Sequence, residues 1–165
     1  MERLVEISNY DLFSTEVRTT LDDFARRAAE RFGLPTAMIS IVLDTAQYWA
    51  GMHGVDGWKA EAQGTPVEWA FCANVVRTGH SYVVENAEID ELQRDNPLVT
   101  EDGQRCYAGA PLITPSGHVL GACCVVGNEP RTFTPAEIDE LAAMADEVVA
   151  ELEQHRMISK TAASQ

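Results

Sequence analysis

Positive charge is scarce in this sequence: its 165 residues carry 12 Lys+Arg against 26 Asp+Glu, a formal net charge of −14. A surface that tracks nucleic-acid phosphates or docks on anionic lipid needs the opposite balance, so no nucleic acid and no membrane are expected among its partners. Long apolar runs are missing too, since no stretch approaches the roughly eighteen residues of a membrane span. The opening MERLVEISNYDLF lacks the basic start, apolar block and small-residue cleavage site of an export signal, which makes the expected location cytoplasmic. Cysteine is sparse, with only Cys72, Cys106, Cys123 and Cys124. In a reducing compartment all of them are expected as free thiols, with no pair needed for folding.

Familiar chemical motifs are also lacking. There is no Cys-x-x-Cys, His-Glu-x-x-His or Asp-x-Asp-x-Asp-Gly spacing, so no metal ligands are assigned. There is no glycine-rich phosphate loop and no Gly-x-Ser-x-Gly elbow, so no catalytic residue is assigned from pattern. Internal repeats and low-complexity tracts are absent. What remains is ordinary globular composition, 45% apolar and 23% charged, in a chain of 18.1 kDa. One domain of that size buries about two-thirds of its unfolded surface.

Apolar residues Val17, Leu21, Phe24, Ala25, Ala28 and Phe32 recur at helical spacing from Ser14 to Phe32, with Gly33 and Pro35 as the stop. Thr36 to Leu43 reads as a buried strand and Gln47 to His53 as its hairpin partner. Gly54 to Gly64 has three glycines and no period and reads as a loop, Glu68 to Thr78 as a short helix, and Ser81 to Glu85 as a strand. A polar stretch, Asn86 to Gly103, follows, with a helical turn near Leu92. Cys106 to Ile113 and His118 to Val126 form a second hairpin around Thr114-Pro115-Ser116-Gly117. Thr134-Pro135-Ala136-Glu137 has the N-cap, first-position proline and third-position carboxylate of a helix start, and the apolar repeat from Ile138 to Leu152 carries that helix to about Arg156. The order predicts an α+β layer fold around an antiparallel sheet.

Local words add to that order: FCANVVRTGHSYVVENA at Phe71 to Ala87, DNPLV at Asp95 to Val99, YAGAPLITPSGHVLGACCVV at Tyr107 to Val126 and RTFTPAEIDEL at Arg131 to Leu141. Together they resemble the GAF domain, a small bacterial sensory module, over roughly Val17 to Leu152. The resemblance implies a central antiparallel sheet of about five to six strands with the N- and C-terminal helices packed on one face. Short helices and loops would cover the other face and enclose a pocket. It implies no chemistry by itself.

Family ligand classes can be tested on the residues. The resemblance to cyclic-nucleotide binders implies an Asn-Lys pair, a Phe and an Asp-Glu pair, with Lys and Asp forming a structural ion pair. Asn128 and Phe133 match, but Glu129 stands for the Lys and Glu137 for the Asp, and two carboxylates do not make that bridge. Bilin attachment would place a His after a Cys, which this chain does not have. Haem needs an axial ligand, for which His53, His80 and His118 are the available side chains. Neither cofactor is supported by motif. The enzymatic branch of the family reduces free methionine sulfoxide with paired cysteines; Cys72 and Cys106 are far apart in sequence and meet only if the fold brings them together. Adjacent Cys123 and Cys124 should point to opposite faces of their strand, one into the core and one toward the pocket.

Large groups cluster where the pocket cover is expected. Trp49, Trp58, Trp69, Phe71 and Cys72, with His53, Cys106 and Tyr107, are the candidate ligand-binding residues, and ordinary core packing is the alternative for the same cluster. The domain is expected over 14–157, with an N-terminal extension 1–13 and a flexible tail 158–165. The reading is a non-catalytic sensory or regulatory module that binds a small ligand or a partner protein. Its output would pass to a separate signalling protein, unless the chain is a piece of a larger one. A homodimer is expected through Val17, Leu21, Phe24, Leu141, Val148 and Leu152. A thiol-dependent reductase of free methionine sulfoxide and a ligand-free dimerisation module are the alternatives.

Overall fold

The computed structural model describes residues 2–163, with side chains described through residue 156. Six strands form one antiparallel sheet: β1 (Thr36–Val42), β2 (Ala46–His53), β3 (Gly64–Pro66), β4 (Tyr82–Val84), β5 (Cys106–Ile113) and β6 (Val119–Gly127). The order across it is β3-β2-β1-β6-β5-β4, so the β1–β2 and β5–β6 hairpins meet at a central β1–β6 pair. The α+β architecture read from the sequence is the observed one. Helix α1 (Glu2–Ser8), α2 (Thr15–Phe32) and α6 (Pro135–Ala163) accompany short helices α3 (Gly57–Ala62), α4 (Cys72–Thr78) and α5 (Pro97–Thr100).

Strand alternation divides the buried residues into two cores. Ala37, Ile39 and Ile41 of β1, Ala108, Ala110 and Leu112 of β5, and Cys123 and Val125 of β6 face α2 and α6. Met38 and Val42, Tyr107, and Ala122, Cys124 and Val126 face the short helices. Cys123 and Cys124 therefore do point to opposite faces. The α2 start is capped by the Ser14 hydroxyl, which accepts from the Val17 N–H at 3.1 Å, and its end by Gly33 in the left-handed conformation at φ 65°. At α6 the Thr134 hydroxyl accepts from the Glu137 N–H at 3.1 Å while the Glu137 carboxylate accepts from the Thr134 N–H at 3.0 Å. The reciprocal cap read from the sequence is formed.

Residues 2–13, expected as an extension, pack on the domain: Ile7, Tyr10 and Leu12 are buried in the helix-side core, Tyr10 donates to Glu153, and Arg156 pairs with Glu6 at 2.9 Å, tying α1 to α6. One expectation is corrected: the segment Gly54 to Gly64 is not all loop, since α3 lies within it and Gly64 opens β3. The helix α6 passes Arg156 and runs to Ala163, so 158–163 of the expected tail is helical, and the last two residues of the chain lie outside the described residues. Val17, Leu21, Phe24, Leu141, Val148 and Leu152 are all buried inside the one chain, packed with the sheet.

Candidate functional site

The second face of the sheet carries a narrow cleft of ≈ 50 Å³. Its floor comes from Met38 of β1, Gln47 and Trp49 of β2, Tyr107 of β5 and Val126 of β6. Its cover is Val55 and Lys59 around α3, Phe71 and Cys72 at the start of α4, and Leu98 of α5 with Asp102 and Gln104 beyond it. The cleft thus draws on four strands, with β1 and β2 supplying most of its floor. At ~10–15 Å³ per water it admits a few water-sized groups, and anything larger requires the cover to move.

A bulge builds the β2 part of the floor. Ile39 pairs with Gly51 but Ser40 pairs with Trp49, leaving Ala50 as the extra residue. That insertion resets the alternation, so Trp49 and Met52 both pack on the cleft side while Ala50 belongs to the helix-side core. Gly51 lies against the Leu21 backbone on that helix side, where an added Cβ would come within 2.6 Å of it. Beside Trp49 runs a buried polar chain across three strands: Ser40 Oγ donates to Gln47 Oε1 at 3.0 Å, and Gln47 Nε2 donates to Thr65 Oγ1 at 2.6 Å. The chain is satisfied internally. Trp49 Nε1 is not: among the described residues it is the one buried side-chain nitrogen or oxygen without a hydrogen-bond partner, in a residue only 2% exposed.

Sulfur and phenol meet where cover and floor touch. Tyr107 Oη lies 2.9 Å from Cys72 Sγ, and Cys72 Sγ makes a hydrogen-bonding contact of 3.8 Å with Cys124 Sγ, which in turn donates to the Met38 carbonyl at 3.6 Å. The Cys124 thiol holds Cys72 below the usual thiol range, with a further contribution from the Tyr107 hydroxyl, and burial opposes both. The same Cys72 contact, together with burial, pushes Cys124 well up. Burial and the neighbouring Cys72 push the Tyr107 phenol up as well. On the opposite face burial pushes Cys123 up to about 12, an inert core thiol.

The sequence candidates divide evenly. Trp49, Phe71, Cys72 and Tyr107 line the cleft. Trp58 does not: it is 46% exposed on α3, its ring edge-on to Trp69 with centroids 6.0 Å apart. Trp69 is half-buried and sits outside the cleft, with its carbonyl accepting from Asn96 Nδ2. His53 follows the bulge and falls outside the lining, and Cys106 shares the helix-side parity of Ala108, against the Gly127 backbone and Leu34. Cys72 and Cys106 are therefore on opposite faces of the sheet and do not meet; the thiol beside Cys72 is Cys124. All four cysteines are free in the structure. No group of three or more His, Cys, Asp or Glu suited to a metal ion occurs among the described residues. Nor is any described helix long and apolar enough to cross a membrane.

The family model for the GAF domain matches residues 16–152. The chain belongs to the GAF family. A cyclic di-GMP phosphodiesterase of Pseudomonas aeruginosa is 35% identical over 111 residues, covering 67% of this chain and 18% of that protein. The chain thus spans less than a fifth of the length of this curated relative. Among solved structures, the GAF domain of an Acinetobacter phosphoenolpyruvate-protein phosphotransferase superposes with a TM-score of 0.70 at 14% identity, over 96% of this chain and 93% of that one. The PixJ GAF domain of Thermosynechococcus elongatus gives 0.68 at 15% identity, over 90% and 92%. A free methionine-R-sulfoxide reductase of Neisseria meningitidis, solved with its substrate, gives 0.70 at 16% identity, over 88% and 83%. At these identities the likeness shows the GAF fold alone.

Beside the start of α6, Arg131 pairs with Glu137 at 2.7 Å and lies over the Phe133 ring at 4.5 Å.

Proposed function

We propose that this GAF domain is a non-catalytic sensory or regulatory module that takes up a small ligand in the cleft beneath α3 and α5. The observation that carries the reading is the Trp49 indole N–H, buried without an acceptor beside a cleft whose lining joins apolar Met38, Phe71, Leu98 and Val126 to polar Gln47, Gln104 and Asn128. A buried donor left unmade costs about 1–3 kcal/mol, a cost that a ligand acceptor removes. The ligand this favours is small or flat, apolar over most of its surface, with one carbonyl or ring-nitrogen acceptor. Lys59 and Asp102 at the lining add one charge of each sign. The relative named a cyclic di-GMP phosphodiesterase supports a regulatory place for this domain within or beside a larger signalling enzyme. A homodimer remains part of the proposal as a route for output, through faces of α2 and α6 other than the six buried residues; sedimentation equilibrium tests it.

Mass spectrometry of small molecules released from natively purified protein identifies the ligand. Trp49→Phe keeps an aromatic ring, though a smaller one, and removes the N–H, so affinity for that molecule should fall about five- to tenfold, the worth of roughly 1 kcal/mol. Ligand-free stability should change little, because an unsatisfied donor leaves with the substitution. Protein that carries nothing and shows no thermal shift across a metabolite panel would overturn the reading. It would also favour the ligand-free structural alternative, which the exposure of Trp58 already supports. The reductase alternative draws on Cys72 at the cleft with Cys124 behind it. Thiol-dependent turnover of free methionine sulfoxide tests it directly.

A further inference from the structure

We propose that Cys72 and Cys124 form a peroxide-oxidisable dithiol beside the cleft, with Cys72 reacting first and Cys124 closing a disulfide onto it. This goes beyond small-ligand binding and does not depend on it.

Three geometric features point to that assignment. The first is the proximity of two reduced sulfurs, 3.8 Å apart, brought together from α4 and β6 by a fold in which the other two cysteines face elsewhere. Bond formation at about 2.0 Å needs an approach of under ~2 Å. The second is asymmetric access: both residues are buried, Cys72 at 2% and Cys124 at 0% exposure, but only Cys72 borders the cleft. A cleft with room for a few water-sized groups admits a peroxide and excludes a bulky thiol such as glutathione. The third is the Tyr107 hydroxyl 2.9 Å from Cys72 Sγ, a donor placed to stabilise the thiolate. The hydrogen bonds that lower the Cys72 thiol and the contacts that raise Cys124 assign attack to the former and resolution to the latter.

The steps balance. The Cys72 thiolate attacks one peroxide oxygen, the O–O bond breaks, and the departing oxygen takes a proton and leaves as water, or as an alcohol from an alkyl peroxide. Cys72 is now a sulfenic acid. The Cys124 sulfur attacks the Cys72 sulfur and gives up its proton, the S–O bond breaks, and hydroxide leaves as a second water. Two thiols have been oxidised by two electrons and one peroxide reduced by two.

The test is peptide mapping without reductant of the full chain before and after one equivalent of hydrogen peroxide. The expected result is loss of two of the four thiols, a mass lower by two hydrogens, a linked Cys72–Cys124 peptide pair, and recovery of both thiols with a dithiol reductant. In Cys124→Ala the oxidation should stop at Cys72 as a sulfenic acid, read in the peptide map as a gain of one oxygen. Tyr107→Phe should slow the reaction severalfold, since it removes the hydroxyl that stabilises the Cys72 thiolate. If Cys106 or Cys123 is modified as fast as Cys72, or if thiol loss requires denaturant, the proposal is wrong. The wild-type map decides even if a variant fails to fold.

Discussion

At the scale of single residues the site depends on one missing side chain. Gly109 stands two residues from Tyr107 on the same face of β5, and a Cβ there would fall on the Tyr107 phenol. The glycine is what lets that ring lie along its own strand with its hydroxyl against Cys72. Gly109→Ala should therefore displace the hydroxyl and lower stability by about 1–3 kcal/mol, as overpacking in a filled core does. Urea titration reads the stability, and the rate of Cys72 alkylation reads the lost hydrogen bond. An unchanged alkylation rate would show that the phenol does not act on the thiol. Trp49, Phe71, Cys72 and Tyr107 were visible from the sequence because large groups in a presumed pocket cover attract attention. The failures have a common cause: His53, Trp58, Trp69 and Cys106 are the same kinds of residue, and only parity and register separate them. The bulge at Ala50, which decides the β2 parity, leaves no mark in AQYWAGMH. Lys59 and Gln104 were invisible because short segments distant in sequence deliver them to the cleft.

At the scale of elements, the best-signalled feature is the start of α6. Thr134→Ala removes the hydroxyl that caps the Glu137 N–H and should cost about 1 kcal/mol, read as a lower Tm. Glu137 adds a pH dependence. The Thr134 backbone N–H, with Arg131 next, holds its carboxyl below the usual range. A depressed carboxyl contributes stability that is full above the unfolded value of about 4.3 and fades as pH falls through the lower folded value. Glu137→Gln should therefore flatten the stability profile below about pH 4.5 and leave its shape above pH 6 unaltered; a profile as steep as wild type would exclude this contribution. The two hairpins, α2 and the start of α6 were legible because caps, turn residues and period lie within a few positions of each other. Helix α3 was not: GWKAEA is flanked by glycines, and no residue in it is buried, so it carries no apolar stripe. Helix α1 is hard to read because it is only 7 residues long, too short to show a period, and its attachment through Tyr10, Glu153 and Arg156 joins opposite ends of the chain.

At the scale of the whole molecule, the two long helices and the sheet share one core, which changes what a substitution there does. Val148 and Leu152 changed together to Glu should unfold the chain and not merely separate two copies, since each carboxylate would be buried among Leu, Phe and Ala without a partner. Loss of the cooperative urea transition is the expected result; a folded monomer would return these residues to an interface. The central β1–β6 ladder also governs time. Each hairpin closes between near neighbours, within roughly 1–10 μs. Joining them pairs Ile41 with Gly121 and Thr36 with Val126, positions roughly eighty to ninety residues apart, so the middle of the sheet is completed last and more slowly. During synthesis the edge of TAMISIV has no partner until Val126 has left the ribosome. An apolar strand edge waiting that long is a template for other chains. The protein is then most exposed to misassociation not when it is stressed but while it is being made.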